Sequence, residues 1–181
     1  MTNHTATRLG AVAAATLGSL VLAGTAAAES TTFHDAHGDM SGHGADIYKV
    51  RVVNQKVVRL RVQHDDLVRS YKSGAGVKVF LDTDRAERGP EFVFTGGLFE
   101  GTDYALHATK GWKLTGNPVT KPHVMRLRYA KDITRITFSR ASLGRPDEVR
   151  VAVKTGGDLD GQQVVDWLDG HRELTPWVAR G

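Results

Sequence analysis

"DIYKVRVVNQKVVRLRVQ", Asp46 to Gln63, alternates apolar and basic side chains in two runs with a polar break between them. In the first run Tyr48, Val50 and Val52 alternate with Lys49 and Arg51. In the second, Val58, Leu60 and Val62 alternate with Arg59 and Arg61. Successive side chains of a strand point to opposite faces, so a period of two marks a ribbon with one buried and one wet side. The break sets the pairing. A two-residue loop at Asn54-Gln55 would put Arg51 beside Val58 and mix charge with apolar groups on one face. A three-residue loop, Asn54 to Lys56, pairs Val53 with Val57, Val52 with Val58 and Val50 with Leu60, and sets Lys49 and Arg51 against Arg59 and Arg61. A one-residue slip inverts every side chain, so the apolar face selects the three-residue loop. The hairpin then carries a positive stripe toward solvent, at the cost of mild like-charge repulsion.

The same period recurs downstream in "VKVFLD", "EFVFTG", "DYALHA", "GWKLTG", "HVMRLRYA", "ITRITFS" and "EVRVAVK", with turn residues between the runs. "HDDLVRSY" reads as a single helical turn, and "QQVVDWLD" as a short helix or a strand. About nine short strands with little helix predict an all-β, antiparallel two-sheet sandwich of jelly-roll type. A parallel sheet would need covering helices that the pattern does not supply.

The first residues belong to a different kind of segment. Arg8 precedes an uncharged, mostly small or apolar run, Leu9 to Ala23, and Ala26 and Ala28 satisfy the small-x-small cleavage rule. Residues 1–28 therefore read as a signal peptide, 29–45 as a polar lead-in rich in His, Gly and Asp, and 46–181 as one sandwich domain. The run is too short to span a membrane. The expected location is secreted and extracellular. The 181-residue chain has no cysteine, so burial and not disulfides must hold it together there. Its net charge of +4 is mildly basic, with charges spread along the chain. Charge alone gives a weak polyanion reading, and nucleic acid is an unlikely partner for an exported chain without a recognised motif.

"HDAHGDMSGHGADIYKVRV", "VFLDTDRAERGPEF", "GTDYALHATKGW" and "ITFSRASLGRPDEVRVAVKT" occur in that order across most of the mature chain. The series resembles uncharacterised exported β-sandwich proteins of high-GC Gram-positive bacteria. More distantly it resembles family-nine carbohydrate-binding modules and DOMON-like domains. The resemblance implies a sandwich, and ligands of the sugar, calcium or haem classes. The sequence departs from it in lacking paired tryptophans for a sugar platform and a haem ligand pair.

Three sets of side chains carry donor or stacking chemistry. Asp82, Asp84 and Glu91 gather carboxylate oxygens at a strand end, as a hard cation such as calcium requires. Against this, the spacing fails the EF-hand pattern, and Gly89-Pro90 reads as a corner that the acids cap. His34, His37 and His43 offer imidazoles for zinc, copper or nickel on a glycine-rich arm without a rigid outer shell. Trp112, Trp167 and Trp177 suit sugar stacking if coplanar, and sealing of the core end otherwise. Phe92 and Phe94 read as core, with Val79 and Leu81 beside them. The sequence holds no nucleophile elbow, zinc-protease helix or phosphate loop.

The reading is a non-enzymatic, exported interaction or ligand-binding module whose partner is a cell-surface or extracellular glycan or protein. The alternatives are a calcium-supported carbohydrate-binding module and a small hydrolase with dispersed carboxylates. The sequence fixes no cofactor; calcium at Asp82, Asp84 and Glu91 is the first candidate, with the histidines as the alternative metal site.

Overall fold

The computed structural model describes residues 30–36, 38–40, 44, 46–159 and 161–181. The expected signal peptide lies outside them, as do His37 and His43. Among the described residues twelve strands form two antiparallel sheets, more than the nine anticipated. Sheet A contains β1 (Ser30–His34), β2 (Ile47–Asn54), β3 (Val57–His64), β9 (Ile133–Ser139) and β8 (His123–Arg128), in the order β1-β2-β3-β9-β8. Sheet B runs β11-β10-β4-β5-β6-β7, from β11 (Gln162–Trp167) through β10 (Glu148–Leu159), β4 (Gly76–Asp82), β5 (Phe92–Gly97) and β6 (Tyr104–Lys110) to β7 (Lys113–Pro118). The two-residue strand β12 (Val178–Ala179) pairs with the start of β10. Among the described residues no helix is long and apolar enough to cross a membrane.

The extra strands come from segments whose sequences lack clear alternation. Part of the polar lead-in forms β1, an edge strand paired along its whole length with β2. "QQVVDWLD" resolves as strand, because β11 pairs with β10 from Lys154↔Trp167 to Leu159↔Gln162. The helical turn expected in "HDDLVRSY" is absent. His64 closes β3, and a 3-10 turn follows only at Tyr71–Ser73. Asp132, just before β9, instead ties the segment down: its carbonyl accepts from the His64 amide at 2.8 Å and its Oδ1 from the Leu67 amide at 3.0 Å.

The first hairpin keeps the anticipated faces but not the anticipated pairs. Val52 faces Leu60, Val50 faces Val62 and Arg51 faces Arg61, and the last pair is Asn54↔Val58. The connection is three residues long but falls at Gln55 to Val57, one position later than read from the sequence. Asn54 is the reason. Fully buried, it donates through Nδ2 to the Val178 carbonyl at 3.0 Å and accepts from Arg140 Nη1 at 2.8 Å, which draws it into the sheet. Moving the register by two residues preserves the parity that the valines demand.

Inward side chains close the interior. Sheet A sends in Val50, Val52, Val58, Leu60, Val62, Ile136 and Phe138, and sheet B answers with Val77, Val79, Leu81, Phe94, Leu106, Val149, Val151 and Val153. Phe94 and Phe138 meet edge to face across the gap, with centroids 5.6 Å apart and planes at 81°. Each fully buried aliphatic or Phe side chain contributes about 1.5–3 kcal/mol, so a core of this size can support a chain with no cysteine.

Candidate functional site

The outer face of sheet A holds the densest charge in the fold. On β2, β3, β9 and β8 the wet positions are Lys49, Arg51, Arg59, Arg61, Arg135, Arg126 and Arg128. Pairing aligns four of them. Arg51 lies opposite Arg61, Arg61 opposite Arg135, and Arg135 opposite Arg126. With neighbouring strands about 4.8 Å apart, this row sets cationic side chains at every strand over roughly 14 Å. Arg59 and Arg128 flank it one rung to either side, and Lys49 shares the Arg128 side. The rest of the face includes Ser30, Thr32, His34, Val53, Gln63, Val124, Ile133 and Thr137, and no acid.

No ion pair engages these cations among the described residues. Arg51 Nη2 donates to Ser30 Oγ at 2.9 Å, which braces the edge of the row. Arg135 sits at its centre and is half-buried by its neighbours. The Arg128 charge, then burial, then Arg61 and Arg59 push its guanidinium below the ordinary arginine value. Like charges placed side by side oppose folding, so the arrangement is not there to stabilise the sheet. Guanidinium is a planar fork of donors that matches phosphate, sulfate and carboxylate oxygens two at a time. Chemically, the face can hold an anion that repeats.

The outer face of sheet B is aromatic. Phe80 of β4 lies 4.8 Å from Trp112 and 5.9 Å from Trp167, and His171 packs against Trp167 at 5.2 Å. Trp112 and Trp167 are tilted 71° from each other, so they do not make a flat platform. Cations cover them, with Lys154 over Trp167 and Arg172 over Trp112. Trp177 lies between Arg85 and Arg150, whose guanidinium carbons are 4.7 and 4.6 Å from its ring centre.

The acids considered for calcium sit in a corner. Asp82 is fully buried at the end of β4, and its Oδ2 accepts from Arg150 Nε at 2.9 Å and Nη2 at 2.7 Å. Asp84 Oδ1 accepts from the Ala86 amide at 2.9 Å. Glu91 Oε2 accepts from the Thr83 amide and hydroxyl at 2.6 and 2.9 Å. Burial raises the pKa of this carboxyl, and those two bonds oppose the rise. Gly89, at φ 85°, adopts the left-handed backbone that the turn before Pro90 needs. The Arg85–Glu148 ion pair ties the corner to β10. His34 ends β1 on the exposed side, opposite Lys49. Phe94 is core with Val79 beside it, and Phe92 packs half-buried opposite Leu81.

Carboxylates do converge elsewhere. Asp39, Asp46 and Asp166 each present an oxygen, all within 4.8 Å of one another. Asp46 Oδ2 accepts from the Gly38 amide at 2.8 Å, which holds the loop after β1 against the start of β2. No signal in the chain links Asp46 to a residue 120 positions later; only the docking of β11 does so. Compared with known proteins, the chain matches no protein-family model and no curated protein at a significant level.

Proposed function

We propose that this protein is an exported, non-enzymatic binding module that captures an acidic polymer outside the cell through the arginine face of sheet A. The carrying observation is the Arg51–Arg61–Arg135–Arg126 row, held in register by three strand pairings. A row at strand spacing suits a linear polymer bearing phosphate or sulfate at regular intervals, and the exposed flanking cations extend its reach. The like-charge strain built into the free sheet is relieved when anions enter, which makes binding and folding mutually supportive. The face supplies donors and charge but no hydrogen-bonded nucleophile and base among its described residues, so its chemistry is retention of a ligand, not turnover. The leader read in residues 1–28 supports an extracellular site of action.

A carbohydrate reading draws on the aromatic face of sheet B. The tilted rings and the cations lying on them favour a packed cluster there over a stacking surface for a neutral sugar.

The test uses heparin and inorganic polyphosphate as probes, with uncharged dextran as control. Affinity should fall steeply with salt, as counterion release requires, and dextran should not bind. Replacing Arg61 and Arg135 together by Gln should weaken binding at least tenfold and flatten the salt dependence, by about one unit of slope per charge lost. Equal binding by the double variant, or retention of dextran, would remove the proposal.

A further inference from the structure

Four acids converge where the two sheets meet, apart from the arginine face. Asp46 immediately precedes β2 in sheet A, and Asp166 lies in β11 at the edge of sheet B. Asp39 reaches the same point from the loop after β1, and Asp35 stands beside it. Asp46 and Asp166 are 1 % and 5 % exposed.

Some of the oxygens have protein donors. Asp166 Oδ2 accepts from the Ile47 amide at 2.7 Å, and Asp35 Oδ1 from the Asp169 amide at 3.1 Å. Others have none: Asp46 Oδ1 and Asp35 Oδ2 are buried without a hydrogen-bond partner. No lysine or arginine forms an ion pair with any of these acids among the described residues. A buried carboxylate with an oxygen left bare is costly unless a proton or a cation joins it.

We propose that Asp39, Asp46 and Asp166 form a binding site for a hard divalent cation, calcium by preference, that staples the start of β2 to β11. The donor set is all oxygen, which excludes the soft and nitrogen-seeking metals as natural occupants. Oxygens bound to one calcium at about 2.4 Å lie no more than about 4.8 Å apart, and the three carboxylates meet that span. Calcium also accepts irregular geometry and completes its shell with water, whereas magnesium demands a tighter octahedron than a loop and two strands readily supply. Such a cross-link between sheets does for a cysteine-free exported chain what a disulfide does elsewhere. Asp35, with its own bare oxygen, is placed to steady the loop.

The test is thermal melting and calorimetric titration of the full chain, freed of metal with a chelator and then given calcium alone or magnesium alone near neutral pH. Calcium should bind with a stoichiometry of one and raise the melting temperature saturably by several degrees, with magnesium weaker. Asp166→Asn and Asp46→Asn should abolish the shift. Because Asp46 and Asp166 are buried, the exposed Asp39→Asn provides a variant that folds regardless, and it should weaken calcium binding at least tenfold. Asp84→Asn, in the β4–β5 corner, should leave the shift intact. An unchanged melting temperature in millimolar calcium, or a calcium response undiminished in Asp39→Asn, overturns the proposal.

Discussion

His64 should make the protein acid-sensitive in a window set by one side chain. The imidazole is fully buried at the end of β3, with Nε2 2.9 Å from Thr134 Oγ1. Burial disfavours the imidazolium and lowers its pKa from 6.5 to about 4, and the Gly44 backbone and Asp65 charge recover only part of that. The unfolded chain therefore takes up a proton below 6.5 that the folded chain refuses down to 4. Stability contributed by the neutral ring is complete above 6.5 and is lost as pH falls toward 4. At 1.36 kcal/mol per unit, the full loss is about 3 kcal/mol, of which about 2 kcal/mol is gone by about pH 5. Asp166 works in the opposite sense. With no cation bound, its carboxyl, raised to about 6, gives stability that grows as pH falls from 6 through the unfolded value of 3.8. The wild-type curve alone is thus a sum of opposed terms. The clean measurement is urea unfolding near pH 7.5 and near pH 5 for wild type and His64→Gln, whose amide can keep the Thr134 bond without titrating. The wild type should lose about 2 kcal/mol more than the variant across that interval. Parallel losses in the two proteins would refute the reasoning.

Two further perturbations follow from buried polar contacts. Arg150→Ala should cost about 3–5 kcal/mol in urea unfolding, because it leaves the fully buried Asp82 carboxylate uncompensated. Adding Asp82→Asn should recover a substantial part, and a double variant as unstable as the single one would argue against that cause. Asn54→Ala should cost about 1–3 kcal/mol and strand the Val178 carbonyl and an Arg140 N–H. Limited proteolysis should then release the C-terminal residues faster than in wild type, since β12 would lose its side-chain tie to β2 and keep only the Gly181 amide on the Asn54 carbonyl.

Much of the architecture was written in local pattern. Period-two alternation in Ile47–Asn54, Val57–His64 and Ile133–Ser139 announced strands with one apolar row, and the structure buries those rows. The positive stripe on the first hairpin was legible for the same reason, as parity fixes which side chains share a face whatever the loop. β1 and β11 were obscure because edge strands, paired on one side only, need little alternation to hold their place.

Distance in sequence hid the rest. Nothing near Arg61 announces that Arg135 and Arg126 will extend its row, because that depends on β3 pairing with β9 and β9 with β8. Asp46 precedes β2 of sheet A and Asp166 lies in β11 of sheet B, and their approach follows from how the sheets stack over a common core. By itself, the sequence determined which residues turn inward, since side-chain alternation is a property of each strand's own backbone. Only the tertiary structure decided which charges meet, because strand order and sheet packing arise from contacts summed over the whole chain.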